Sequence, residues 1–92
     1  DNTSLKKTLH FIGKNKSVVD FGCATGYLAQ LLKHNGCVVT GVDYNQEAAQ
    51  EAEKHCQEVI IADLDFTSIT EIFPNQKFDV AVFGDVLEHL RN

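Results

Sequence analysis

The segment Val18-Val19-Asp20-Phe21-Gly22-Cys23-Ala24-Thr25-Gly26-Tyr27 runs a short apolar, β-branched stretch into an acid, then into a loop bounded by two glycines. Valine favours a pleated, half-buried backbone, and glycine permits the positive φ of a sharp turn. Beyond the turn, Tyr27, Leu28, Leu31 and Leu32 fall at helical spacing up to His34, where Asn35-Gly36 supplies a stop. The stretch therefore reads as a strand over residues 17–21, a glycine turn, and a helix from Gly26 to His34. Leu28, Leu31 and Leu32 are its predicted core residues.

Working outward, the same unit recurs. Cys37 to Val42 reads as a second buried strand ending at Asp43. Asn45 is placed to cap a helix that carries Ala48, Ala49 and Ala52 and runs to about His55. Glu58 to Ala62 predicts a third strand ending at Asp63, followed by a helical turn around Ser68 to Phe73. Pro74-Asn75 breaks the chain, Phe78 to Phe83 predicts a fourth strand ending at Gly84-Asp85, and Val86 to Leu90 begins a helix. Upstream, Thr3 or Ser4 can cap a helix through Ile12, with Leu5, Leu9 and Ile12 on one face and Gly13 as its stop. Strands alternating with helical stretches predict an α/β, doubly wound parallel sheet with right-handed crossovers.

With 92 residues, 43% hydrophobic and 23% charged, the chain has the composition of one small globular domain. The net charge of −5, with no basic run, argues against a DNA backbone as the main partner and leaves RNA open. Three cysteines, Cys23, Cys37 and Cys56, are odd in number and lack a C-x-x-C pair, so neither a disulfide framework nor a zinc site is read and a cytoplasmic setting is expected. Apolar runs fall far short of the roughly 20 residues of a membrane span.

The chemistry lies at the strand ends, where ligands of open parallel sheets bind. Asp20, Asp43, Asp63 and Asp85 close four successive strands. Such a cleft suits a ligand that presents hydroxyls, an amine or a positive centre, and it repels a diphosphate unless backbone amides offset the charge. A dinucleotide fingerprint requires G-x-G-x-x-G, whereas Ala24 and Tyr27 stand at the second and third glycine positions, and the Gly-Lys-Ser/Thr of a phosphate loop is missing. Asp43 alone does not discriminate, because nicotinamide-binding folds also carry an acid about 20 residues past the first glycine.

These residues resemble the class I S-adenosylmethionine-dependent methyltransferases. "VVDFGCATGYLAQLL" is similar to that family's first motif, with Ala24 in place of the usual middle glycine, and the likeness continues through "VTGVDYNQEAAQEA", "VIIADLD" and "FDVAVFGDVLEHL". The resemblance implies a strand order 3-2-1-4 and S-adenosyl-L-methionine as cofactor. It also implies that Gly22, Cys23, Ala24 and Gly26 bring main chain against the methionyl part and ribose, with Asp20 near the amino group. Asp43 would accept from both ribose hydroxyls, Tyr44 would lie along the adenine, Asp63 would accept the adenine amino group, and Leu64 would pack on the ring. Gly84, Asp85 and Val86 would border the methionine side. A small-molecule acceptor is expected and no catalytic residue is assigned, His89 being placed on the acceptor side. Asp85-x-x-Glu88-His89 is similar to an E-x-x-E-H metal motif of one RNA methyltransferase family, but V-L-E-H also recurs among small-molecule methyltransferases, and no metal is expected. The family has further strands, so the single domain over residues 1–92 is expected to be truncated at its C-terminus and to dimerise through its open edge. A cofactor-binding module without transferase activity and a nicotinamide-dependent oxidoreductase are the competing readings.

Overall fold

A computed structural model describes residues 2–62, 69–73 and 75–83. Elements follow in the order α1 (Asn2–Ile12), β1 (Ser17–Phe21), α2 (Tyr27–His34), β2 (Val38–Asp43), α3 (Gln46–Ala52), β3 (Glu58–Ile61), α4 (Ile69–Ile72) and β4 (Val80–Phe83). The four strands are all parallel and lie in the order β3-β2-β1-β4, as expected. Asp20 is in register with Gly41 on one side and Val82 on the other. The order reverses between β1 and β4, so the switch point, where a crevice opens above the strand ends, lies beside Asp20 and Phe21.

Alternation along β1 and β2 divides the core into two clusters. Val18 and Val39 meet Ile12, Ala29 and Leu32, which puts α1 and α2 over one face of the sheet. Val19, Phe21 and Val42 meet Phe73 and Ile72 on the other face. Phe21 anchors that second layer, stacking on Phe83 at 4.8 Å and meeting Phe73 edge-on at 6.3 Å. β1 is buried along nearly its whole length, as expected for a central parallel strand.

Several expected boundaries move. α1 already includes Thr3 and Ser4, so neither stands ahead of it as a cap. β2 and β4 begin at Val38 and Val80, because ladder partners start only there. α3 closes at Ala52, three residues short of His55, where the chain enters turns that lead into β3. α2 buries Ala29 and Leu32, leaving Leu28 and Leu31 half-buried and Tyr27 61% exposed. Asp63, Leu64, Ser68, Pro74, Gly84, Asp85, Val86, Glu88 and His89 lie outside the described residues, as does the helix expected from Val86. Among the described residues, no helix is long and apolar enough to cross a membrane.

At the end of the sheet away from the crevice, Asp79 clasps Ser17. Its Oδ2 accepts from the Ser17 N–H at 2.9 Å and from the Ser17 hydroxyl at 3.3 Å, while the Asp79 N–H donates to the Ser17 carbonyl at 2.9 Å. The Ser17 N–H holds the Asp79 carboxyl below its ordinary value, helped by the Ser17 hydroxyl and the Lys16 charge against a desolvation effect of opposite sign. A carboxyl lowered in the folded state stabilises above its ordinary pKa, and that contribution is lost as pH falls through the folded value. Asp79→Ala is therefore expected to melt below wild type at neutral pH, with the gap closing as pH falls below the ordinary carboxylate range. Thermal melts of both proteins across a pH series check this.

Candidate functional site

The turn after β1 is tied down by its own backbone. The N–H groups of Gly22 and Cys23 both donate to the Val42 carbonyl, at 2.7 and 3.0 Å, and the Gly26 N–H donates to the Cys23 carbonyl at 2.9 Å. The Ala24 N–H donates to Asp43 Oδ2 at 2.7 Å. Asp43 Oδ1 accepts from the Asn45 N–H at 2.9 Å, and the Asn45 side chain caps α3 by accepting from the Ala48 N–H. These four loop amides thus point into the protein.

Asp43 is 6% exposed and Asp20 is 3% exposed, both on the face of the sheet that carries α2 and α3. Each Asp43 oxygen has two acceptor positions, and backbone amides take one on each. One position per oxygen therefore remains, which is what a pair of neighbouring hydroxyls requires. Tyr44, the next residue, is 73% exposed. The structure thus brings together Asp20, Gly22, Cys23, Ala24, Gly26, Asp43 and Tyr44 at the carboxyl ends of β1 and β2.

Gly26 has a role that ligand approach does not explain. It sits at φ +88° as the N-cap of α2, and a Cβ there would lie 2.9 Å from the Ala52 Cα. Its missing side chain lets the turn touch the end of α3. Ala24 also adopts a positive φ, +50°, although it has a Cβ. The departure from glycine therefore falls on a left-handed residue, at a cost of about 1–2 kcal/mol.

Cys23 packs under the turn. Burial, followed by the charges of Asp20, Cys56 and Asp43, pushes its thiol up to about 12, so it is protonated at neutral pH and is no nucleophile. Cys56, which shows no partner at ligand spacing in the sequence, comes close to it. Both sulfurs crowd the place a Gly41 side chain would occupy, Cys23 Sγ at 2.8 Å and Cys56 Sγ at 3.2 Å from it. The two cysteines are remote in sequence, so no spacing rule joins them. What brings them together is the register of Asp20 with Gly41 and of Gly41 with Val59. Burial, with the Asp20 charge, also raises the Cys56 thiol, to about 11.

A parallel 3-2-1-4 sheet with an acid-lined glycine turn at its switch point defines a class of nucleoside-cofactor folds, and comparison narrows it. A family model described as a methyltransferase domain matches residues 2–92, and the chain belongs to that family. Its curated relatives include the ubiquinone biosynthesis O-methyltransferases of Actinobacillus pleuropneumoniae serotype 5b (strain L20) and Bradyrhizobium diazoefficiens. The first is 35% identical, with 82% of this chain covering 35% of the relative, and the second is 35% identical, with 79% covering 29%. The chain spans about a third of the length of these curated relatives. Among solved structures, a magnesium protoporphyrin IX methyltransferase from Synechocystis PCC 6803 with bound SAM superposes with a TM-score of 0.69 at 20% identity, over 95% of this chain and 45% of that one. An S-adenosylmethionine dependent methyltransferase from Mesorhizobium loti gives 0.66 at 24% identity, over 97% and 44%. At these identities the two structures show the fold.

Two of the left-handed residues of the turn, Gly26 and Ala24, give opposite expectations. Gly26→Ala adds a left-handed Cβ and a clash with backbone, and is expected to destabilise by about 2–5 kcal/mol. Ala24→Gly relieves about 1–2 kcal/mol of strain, of which about 0.4–1 kcal/mol is offset by a freer unfolded chain, so it is expected to be neutral or stabilising by up to about 1 kcal/mol. Urea denaturation of the two variants checks both signs.

Proposed function

We propose that this chain is the cofactor-binding part of an S-adenosylmethionine-dependent methyltransferase that acts on a small molecule. The observation that carries the reading is that the Gly22, Cys23, Ala24 and Gly26 N–H groups are engaged within the protein, combined with two buried acids at the same strand ends. A dinucleotide or nucleoside triphosphate needs free N–H donors for its phosphates. With four of the turn's amides engaged and two acids beside it, this turn better suits hydroxyls, an ammonium and a sulfonium.

When bound, S-adenosylmethionine supplies a methyl group on a positive sulfur, already activated for in-line attack by an acceptor. The work left to the protein is positioning and exclusion of water. In this reading Asp43 accepts from the ribose hydroxyls through its two remaining acceptor positions, and Tyr44 covers the adenine. Asp20 supplies negative charge toward the amino group, while Gly22, Cys23, Ala24 and Gly26 form the wall against the methionyl part. Asp63 and Leu64 complete the adenine end and Gly84, Asp85 and Val86 the methionine end. His89 faces the acceptor, and no metal takes part.

A small-molecule acceptor is supported by the names of the relatives, which are ubiquinone biosynthesis enzymes, and by a neighbour named for magnesium protoporphyrin IX. Three free cysteines fit a cytoplasmic setting. Among the described residues β4 pairs only with β1, so the 92-residue chain by itself pairs with a second copy through the outer edge of β4.

Calorimetry tests the cofactor. The chain is expected to bind S-adenosylmethionine or its demethylated product, to prefer either over NADH, and to transfer no methyl group by itself. Asp43→Ala removes a charged acceptor and is expected to weaken binding by about tenfold to a hundredfold, or about 1.5–3 kcal/mol. Because Asp43 also holds the turn, circular dichroism must show that the variant is folded. His89→Ala is expected to bind as wild type does. Preference for NADH, or undiminished binding by folded Asp43→Ala, rejects the assignment. Light scattering across a concentration series tests the dimer, and a monomer at the highest soluble concentration rejects it.

A further inference from the structure

Cys23 and Cys56 are two free thiols that converge on one glycine. Gly41 is buried in the middle of β2, and its bare Cα leaves a gap that the two sulfurs fill from neighbouring connections. Cys23 belongs to the turn after β1, and Cys56 to the segment that enters β3. Their separation cannot exceed the sum of those two distances, 2.8 and 3.2 Å, so a small approach of the side chains puts both on a single bridging atom. Cys23 is 5% exposed, whereas Cys56 is half-buried and offers the way in.

We propose that Cys23 and Cys56 form a two-coordinate site for a soft divalent cation, and that filling it excludes the nucleoside cofactor. The inference rests in its second half on the function proposed above. Thiolates select soft ions, and among the described residues there is no cluster of three or more metal-ligating side chains. A tetrahedral ion such as Zn(II) is therefore left short of ligands, while an ion content with two sulfurs is not. Charge favours the same outcome. Two thiolates on a divalent ion form a neutral unit, and the acids Asp20 and Asp43 attract the incoming cation.

The step balances without oxidation. Each thiol loses its proton to buffer, two S–H bonds break, and two sulfur–metal bonds form. Cys56 binds first. An ion held between Cys56 and Cys23 lies directly under the turn over residues 22–26 and strains its bonds to the Val42 carbonyl and to Asp43, the contacts that shape the cofactor wall.

Mercuric chloride is the probe, at one equivalent per chain and with glutathione as competitor. Native mass spectrometry of wild type is expected to show one mercury per chain with loss of two protons. Attachment through a single thiol, seen as retained chloride or glutathione, overturns the site. Cys23→Ser and Cys56→Ser are each expected to lose the ion to glutathione, whereas Cys37→Ser keeps it. Retention by folded Cys23→Ser overturns the pairing, and the corresponding alanine variants stand in if a serine fails to fold. Zn(II) is expected not to bind, and stoichiometric Zn(II) uptake also overturns the site. Calorimetry with S-adenosylhomocysteine then separates the two readings. Binding to the untreated chain that disappears in the mercury adduct supports the exclusion, and binding that survives in the adduct overturns it. No binding to the untreated chain rejects the proposed function, while the mass and variant results still judge the metal site.

Discussion

One carboxylate holds the crevice together. Asp43 spends one oxygen on the Ala24 N–H and the other on the Asn45 N–H, fastening the turn after β1 to the start of α3. Hydrogen bonds to a charged group contribute about 1.5–3 kcal/mol each, and a left-handed alanine costs about 1–2 kcal/mol. The bond to Asp43 is therefore large enough to offset the strain at Ala24, which explains how the turn keeps its shape without glycine at that position. Burial of Asp43 is tolerable for the same reason, since an ionised group removed from water needs charge-assisted partners on its oxygens. Binding chemistry and local stability thus depend on the same atoms.

Much of the frame was legible in the residues. β1 is apolar and β-branched, is buried on both faces and lies between turn residues, so its period and punctuation agree. Asn45 was readable as a cap because a short amide before an alanine-rich run has few other uses. Parallel pairing followed from the alternation of elements. The strand order, by contrast, came only with the family resemblance, because no residue in β4 announces that it pairs with β1.

What escaped the sequence depends on contacts between distant segments. Gly26 looked like a residue kept bare for a ligand, and it is also bare for Ala52, which only the packing of α3 reveals. Cys56 looked solitary because its neighbour Cys23 reaches it across a strand rather than along one. Tyr27 fits the apolar spacing of α2, yet the helix turns Ala29 and Leu32 to the sheet, and small residues there let it sit close. The ends of α3 and β4 shifted because tertiary ladders, and not local propensity, decide where a terminal turn gives way.

The Ser17–Asp79 clasp joins residues 62 positions apart, while β1 and β2 meet through a connection of ordinary length. Closing the longer loop costs more chain entropy, so pairing of β4 belongs late in the order of assembly. The crevice between β1 and β4 is therefore the last part of the sheet to exist. A chain emerging from the ribosome would already carry β1, β2 and the Asp43 bridge while its switch point had only one wall. Anything that recognises both walls has nothing to hold until β4 has paired with β1, a register that the clasp pins at one end and the Phe21–Phe83 stack at the other.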